Sequence, residues 1–156
     1  MRGVPYAAML GGRDAQAVIA ETPVRLAKVL DGLSEAEIEK RPAAGKWSVR
    51  EIVAHLADCE IAWGWRLRQS LSEEHAVQQP FEQDAWARVY TAYSLAEAWA
   101  CFKAVRAWNV AFVGALSETD RGKRYTHPER GEERLSTIVE IMAGHDLHHL
   151  AGLEKL

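Results

Sequence analysis

The sequence predicts an all-α fold, a four-helix bundle, from three observations. Apolar residues recur at helical spacing in four long segments. Serine or threonine followed three residues later by glutamate, the pattern of a capping box, stands at several predicted helix starts. Sustained alternation of apolar and polar residues, typical of a half-buried strand, is not evident. With 156 residues, 48% of them hydrophobic, the chain fits one domain over residues 1–156 with a full core.

The predicted helices follow from these patterns in chain order. The first covers roughly residues 14–31, and Thr22 followed by Pro23 resembles a cap with proline at the first helical position, which allows a break there. The others cover roughly residues 35–40, 49–72, 95–116 and 137 to the C-terminus. Capping boxes are predicted at Ser34/Glu37, Ser48/Glu51, Ser94/Glu97 and Thr137/Glu140.

Two connections between the predicted helices are long. Residues 73–94 contain Pro80 and are expected to hold a short turn around Asp84–Tyr90. A crossover of this length lets the second and third long helices run parallel, which a short hairpin does not allow. Residues 117–136 form a second, polar loop, and loops this long in a compact domain are often functional.

Charge and hydropathy exclude several classes of protein. Nineteen basic and 22 acidic residues give a net charge of −3 and a pI of about 6.1, so a nucleic-acid partner is not expected. No apolar run approaches the roughly 20 residues that cross a bilayer, and no signal peptide is evident, so no membrane association is expected. Cys59 and Cys101 do not make a disulfide framework, which favours a reducing cytoplasm.

Six histidines are unusual in so short a chain, and three of them fall on apolar helix faces. His145 and His149 are four residues apart, so they stack in the middle of the fourth long helix's apolar stripe. His148 lies at the edge of that stripe, and Asp146 points away from it. His55 lies at the edge of the second long helix's stripe. If these helices are antiparallel neighbours, the three imidazoles reach one level of the bundle.

This pattern predicts either a metal site or a group of structural histidines. Imidazoles in an apolar stripe cost desolvation free energy unless their nitrogens find partners. A divalent metal would use these nitrogens, and a His₃ set with open positions is a form used for catalytic metals. Hydrogen-bonded core histidines are the alternative, and the spacing alone leaves both open. Because Asp146 follows His145, the spacing lacks the glutamate of a zincin motif.

Charged residues inside the predicted stripes suggest further roles. Glu60 lies within the second long helix's stripe, and Arg106 and Asn109 lie within the third's. A Glu60–Arg106 pair across parallel helices would satisfy both groups, either as a structural ion pair or as catalytic residues. Arg66, on the same side of its helix as His55, either lines a pocket mouth or lies on the surface.

Other polar residues near the histidines each allow a functional and a structural interpretation. Asp58 lies one turn after His55, and it either orients this histidine or faces solvent. Cys59 is either a fourth ligand or, as favoured here, a small buried residue. His127 and His148 could act near the metal, although His127 in its polar loop is expected to be exposed. The catalytic candidates are Asp58, His148 and Arg66.

Three stretches resemble the DinB-like (YfiT-like) superfamily of metal-binding four-helix bundles. They are KWSVREIVAHLAD at residues 46–58, AGHDLHHL at residues 143–150, and THPERG at residues 126–131, which is similar to the family's His-Pro-x-x-Gly turn. The resemblance covers most of the chain from about Thr22, and the combination of patterns in this order is fairly specific.

The resemblance implies an up-down-down-up bundle with the long crossover between helices 2 and 3. It also implies that His55, His145 and His149 ligate a metal, usually zinc or nickel. Many members look dimeric, and Trp65 and Trp108, which fall outside the core stripes, also favour a homodimer.

The implied activity is that of a cytoplasmic, metal-dependent enzyme acting on a small molecule. Some members of the superfamily transfer low-molecular-weight thiols and others are named hydrolases, so the expected reaction is thiol S-transfer or hydrolysis. A thiol would then be the co-substrate. The alternatives are a stress-related module that binds metal or ligand without catalysis, and an interaction dimer with structural histidines.

Overall fold

The computed structural model describes residues 4–156, and four long helices dominate it. The elements of this range, in order, are α1 (Ala7–Leu10), α2 (Ala15–Asp31), α3 (Glu35–Glu39), α4 (Val49–Ser72), β1 (Ala76–Val77), α5 (Gln83–Ala87), a 3-10 turn (Tyr90–Ala92), α6 (Leu95–Gly114), α7 (Glu118–Arg121), β2 (Arg124–His127), β3 (Gly131–Arg134) and α8 (Leu135–Leu153). The long helices α2, α4, α6 and α8 form the predicted up-down-down-up four-helix bundle. No helix in this range is both long enough and apolar enough to cross a membrane.

Serine capping boxes fix the starts of α3, α4 and α6, as predicted. Ser34, Ser48 and Ser94 each accept a hydrogen bond from the backbone N–H three residues on, and the glutamate there returns one. The predicted box at Thr137/Glu140 is wrong, because β3 runs directly into α8, which begins at Leu135 without a side-chain cap.

The predicted cap and break at Thr22 and Pro23 are also wrong, because α2 runs unbroken through them. A proline lacks the N–H that would bond the carbonyl four residues earlier, here that of Ile19. Arg106 Nη1 of α6 donates to this carbonyl instead, at 2.9 Å. A side chain from another helix therefore replaces the hydrogen bond that Pro23 removes.

A small three-stranded sheet accompanies the predicted all-α bundle. The strand β2 pairs with β1 in parallel and with β3 in an antiparallel hairpin. These strands lie in the two connections predicted as loops, and the sheet ties the two connections together. The first connection also holds α5 and a 3-10 turn where one turn around 84–90 was expected, and the second holds α7.

A buried polar network joins all four long helices. The predicted Glu60–Arg106 pair is confirmed, with Nη2 donating to Oε1 at 2.7 Å. The same guanidinium donates to both carboxylate oxygens of Asp146, at 2.6 and 3.0 Å. Asp146 points away from the apolar stripe of α8, as predicted, but it is buried in the interface with α2 and α6. There the Thr22 hydroxyl also donates to its carboxylate. The Glu60–Arg106 pair is therefore structural.

Close packing of α4 against α6 depends on one glycine. A Cβ atom at Gly64 would lie 2.7 Å from the side-chain oxygen of Asn109. The Asn109 amide in turn donates to the backbone and side chain of Glu60, each at 3.0 Å. Gly64 therefore leaves room for the Asn109 side chain, which bonds Glu60 of the network.

Two tryptophans remain on the outside of the bundle. Trp65 is 66% exposed and Trp108 is 70% exposed. Large exposed aromatic side chains are typical of contact surfaces. The homodimer stays a prediction.

Replacing Arg106 tests whether this network holds the bundle. Arg106→Met leaves two buried carboxylates without their cation, and the expected loss in free energy of unfolding is about 3–5 kcal/mol, measured by urea denaturation. Lys103→Met removes an exposed cation from the same helix and should change stability by less than about 1 kcal/mol. Similar stabilities for the two variants would show that the network is not a structural requirement.

Candidate metal centre

Three histidines from two helices converge at one level of the bundle. His55 on α4 and His145 on α8 bring their Nε2 atoms within 2.9 Å of each other. The Nε2 of His149, one turn along α8, lies 3.1 Å from that of His145. His55 and His145 are buried and His149 is half-buried, so the set lies at the edge of the core.

Burial keeps these imidazoles neutral. Desolvation lowers the pKa of His55 to about 4 and that of His149 to about 3. Desolvation and the neighbouring histidines also hold the pKa of His145 well below its usual value. At neutral pH each ring therefore keeps one nitrogen lone pair available to a ligand.

The contacts among the three rings fit a bound divalent metal better than hydrogen bonds alone. The Nε2 of His145 carries either one proton or one lone pair, so it cannot make a full hydrogen bond with both neighbours. Its Nδ1 is buried without a partner among residues 4–156. Metal–nitrogen bonds of about 2.0–2.1 Å would place two ligand nitrogens about 2.8–3.4 Å apart for angles from a right angle to the tetrahedral value, and the separations of 2.9 and 3.1 Å lie in this range.

Cys59 adds a fourth donor atom beside this set. Its Sγ lies 3.6 Å from the Nε2 of His55, and the ligand atoms of His55, Cys59 and His145 all lie within 4.8 Å of one another. Burial, followed by the nearby carboxylates, raises the thiol pKa well above its usual value. The thiol form is therefore favoured in the metal-free site.

Aromatic side chains surround the histidines and orient one of them. The rings of Trp47 and Trp63 lie 4.8 Å from His55 and 4.9 Å from His145 respectively. The buried Tyr90 hydroxyl lies 3.4 Å from His55 Nδ1 and also bonds Asp58. Asp58 therefore reaches the histidine through Tyr90 rather than directly.

Two cavities border the histidines on different sides. The first, here called the arginine cavity, measures about 260 Å³ and is lined by His145, Cys59, Arg66 and Arg130, among others. The second, here called the apolar cleft, measures about 680 Å³ and is lined by His149 and by Leu33, Pro42, Trp47, Val49, Ile52, His148 and Leu153, among others. The histidine set thus borders a cavity whose wall contains two arginines and a cleft whose wall is mainly apolar.

The remaining candidate residues divide between these cavities. Arg66 is half-buried in the wall of the arginine cavity, and His148 is exposed beside the apolar cleft. The expectation that His127 is exposed is wrong, since only 4% of it is accessible. The β2–β3 hairpin folds back onto the bundle, and Arg130 Nη1 contacts the His127 Nε2 at 3.1 Å.

Two tyrosines near the site were not singled out from the sequence. Tyr90 lies in the crossover, where helical periodicity makes no prediction. Tyr6 packs its ring 5.3 Å from His145 in the uncommon left-handed backbone conformation, with φ of 59°. A Cβ at Gly144 would lie 2.6 Å from the Tyr6 carbonyl oxygen, so this glycine permits the contact. In the sequence, only the glycine next to His145 indicates that another segment packs closely against this part of α8.

The chain is similar to one protein family and to individual proteins. The DinB superfamily profile matches residues 19–152. A relative from Oceanobacillus iheyensis, provisionally named a metal-dependent hydrolase, is 29% identical over 140 residues, covering 88% of this chain and 81% of that protein. Another from Bacillus mycoides, with the same provisional name, is 24% identical over 149 residues, covering 88% and 80%.

One solved structure has a similar fold. YfiT from Bacillus subtilis, described as a probable metal-dependent hydrolase with an unusual four-helix bundle topology, matches with a TM-score of 0.81. The two chains share 22% sequence identity, and the match covers 90% of this chain and 82% of YfiT. At this identity the similarity establishes the fold.

The lowered histidine pKa values predict how the metal-free protein responds to acid. Below pH 6.5 the histidines bind protons in the unfolded chain but stay neutral in the folded protein. The free energy of unfolding therefore falls as the pH decreases below 6.5, and it is retained above that pH. His55 alone should cost about 3 kcal/mol between pH 6.5 and pH 4. Urea denaturation of metal-free protein across this range measures the slope.

A substituted protein provides the control. His55→Gln should show a shallower dependence of stability on pH, while His75→Gln, at an exposed position, should match the wild type. A wild-type stability that does not change between pH 6.5 and pH 4 would contradict the expectation of neutral, buried histidines.

Proposed function

Because the chain belongs to the DinB superfamily, we propose that it is a divalent-metal-dependent enzyme acting on a small molecule. The observation that carries the proposal is the convergence of three neutral imidazoles beside two cavities. His55, His145 and His149 would hold the metal. Zinc and nickel both accept imidazole nitrogens, and they are the proposed ions.

The proposed reaction is hydrolysis or transfer of a low-molecular-weight thiol. A divalent metal with open positions supplies Lewis acidity, which activates either water or a thiol. The provisional names of the relatives support hydrolysis. The apolar cleft beside His149 offers room for a second reactant, which supports transfer.

The chain's own residues position the ligands and control access to water. Asp58 and Tyr90 orient His55, because the Tyr90 hydroxyl can donate to the carboxylate and accept from Nδ1–H. Trp47 covers one side of the same imidazole. His148, exposed beside the apolar cleft, is the proposed carrier of a proton at its free ring nitrogen.

A second function is favoured by the position of Cys59. If its thiolate joined the three histidines, four protein ligands would close the site, as in structural metal centres. The protein would then be a metal- or ligand-binding module without catalysis. A bound cobalt ion distinguishes the two, since a thiolate ligand gives it an absorption band that imidazoles do not.

The proposal also includes a cytoplasmic location, a homodimer and no nucleic-acid partner. Both cysteines are free in the described residues, which supports the cytoplasm. The exposed Trp65 and Trp108 support a homodimer, and the net charge of −3 speaks against a nucleic-acid partner.

Metal analysis of untagged protein tests the proposal directly. We expect one zinc or nickel ion per chain, a higher melting temperature with metal than without, and turnover in a panel of ester, amide and thiol-transfer substrates. His145→Ala should lower metal affinity by at least about 100-fold, whereas His75→Ala in the exposed crossover should not. Wild-type protein that binds no divalent metal would overturn the proposal. Retained metal without turnover, together with a cobalt–thiolate band lost in Cys59→Ser, would favour the binding module.

The contact between Tyr90 and His55 gives a prediction about metal affinity. Tyr90→Phe removes the hydroxyl that accepts from His55 Nδ1–H, and metal affinity should fall by about tenfold, as other losses of outer-sphere partners do. Competition with a zinc chelator measures the affinity. Tyr93→Phe removes a hydroxyl at a position that is 40% exposed and should leave it unchanged. Equal affinities for the wild type and Tyr90→Phe would exclude this role for Tyr90.

A further inference from the structure

Arg66 is a half-buried cation without an ion-pair partner among residues 4–156. One of its nitrogens donates to the backbone carbonyl of Gln79, and its guanidinium lies over the ring of Phe81, 5.4 Å from the centroid. The crossover therefore holds the guanidinium in place but does not neutralise it. Several of its N–H donors are left for another acceptor.

Arg66 and one of the three histidines, His145, line the same small cavity. Arg66 lines the arginine cavity together with His145 and Cys59, and the cavity holds about 260 Å³. Because long side chains on a helix point toward its N-terminus, Arg66 extends along α4 in the direction of Cys59 and His55. A small molecule in this cavity can contact the guanidinium at one end and the metal centre at the other.

The other charged groups of this region are already engaged. Arg130 donates to both carboxylate oxygens of Glu133, at 2.5 and 2.9 Å, and also contacts His127. Glu129 lines the same cavity and is not free. Burial and the nearby Arg130 lower the pKa of Arg66, which indicates a cation that lacks compensating charge. Arg66 is thus the unpaired charge of this cavity within the described chain.

We propose that Arg66 binds a carboxylate group of the substrate, so that the enzyme acts on small carboxylic acids. A planar guanidinium matches a carboxylate through two parallel hydrogen bonds. One unpaired cation next to Glu129 and Glu133 suits a singly charged anion better than a doubly charged phosphate. The assignment rests on the proposed metal-dependent function, because the reacting end of the acid would lie at the histidine set.

The experiment compares two thiol probes that differ in charge. Untagged protein is loaded with Co²⁺ and titrated with 3-mercaptopropionate and, separately, with 3-mercapto-1-propanol. Both thiols can coordinate the metal, and the thiolate–cobalt absorption band reports their binding. We expect the carboxylate probe to bind the wild type at least about tenfold more tightly, as a charge-assisted contact requires.

Variants identify the residue responsible for this preference. Arg66→Gln should bind both probes with equal affinity, and Arg66→Lys should keep part of the preference because it keeps the charge. Arg88→Gln removes a cation from an exposed position in the same crossover and should behave as the wild type. A preference that survives in Arg66→Gln would overturn the assignment.

The outcomes also separate this assignment from the proposed function. Equal affinities of the wild type for the two probes, with cobalt bound and both bands present, would overturn the role of Arg66 and leave the metal-dependent function standing. Failure of the wild type to bind cobalt would overturn the proposed function and the substrate assignment together.

Discussion

The guanidinium of Arg106 is the point on which the bundle depends. It donates to a backbone carbonyl of α2, to Glu60 of α4 and to Asp146 of α8, and it is itself part of α6. Asp146 is the residue after His145, and Glu60 is the residue after Cys59. The network that fixes how far each helix is shifted along its neighbour therefore also fixes the height at which the imidazoles meet. In some proteins buried ionic groups specify one arrangement of the helices, and this network lies directly beside the histidines.

The site next to this network combines two opposite environments. Burial removes water from the imidazoles and keeps them neutral, which costs free energy in the metal-free protein. The walls beyond them differ, since Trp47 lines the apolar cleft and Arg66 lines the arginine cavity. Walls of this kind would orient a substrate that carries both an apolar and a charged part.

The long helices and the spacing of the histidines were accessible from the sequence, because both depend on helical periodicity. The convergence of His55 with His145 and His149 follows from that period together with an antiparallel pairing of two helices. The strands were not accessible, because they have two to four residues and cannot display an alternating pattern.

Other features depended on partners far away in sequence. The carbonyl that Pro23 leaves without a donor is satisfied by Arg106, 87 residues from Ile19, so no local signal could show that α2 continues. His127 was expected in an exposed loop, because the sequence does not show that the β2–β3 hairpin folds onto the bundle and buries it. Tyr90 belongs to a crossover whose path is set by the helices on either side of it.

The two cavities on either side of the histidine set have a kinetic consequence. In a ping-pong scheme the first product leaves before the second reactant binds, whereas reactants that are bound at the same time form a ternary complex. Here the arginine cavity meets the set at His145 and the apolar cleft meets it at His149. If two reactants reached the centre by these two routes, a bimolecular reaction there would proceed through a ternary complex.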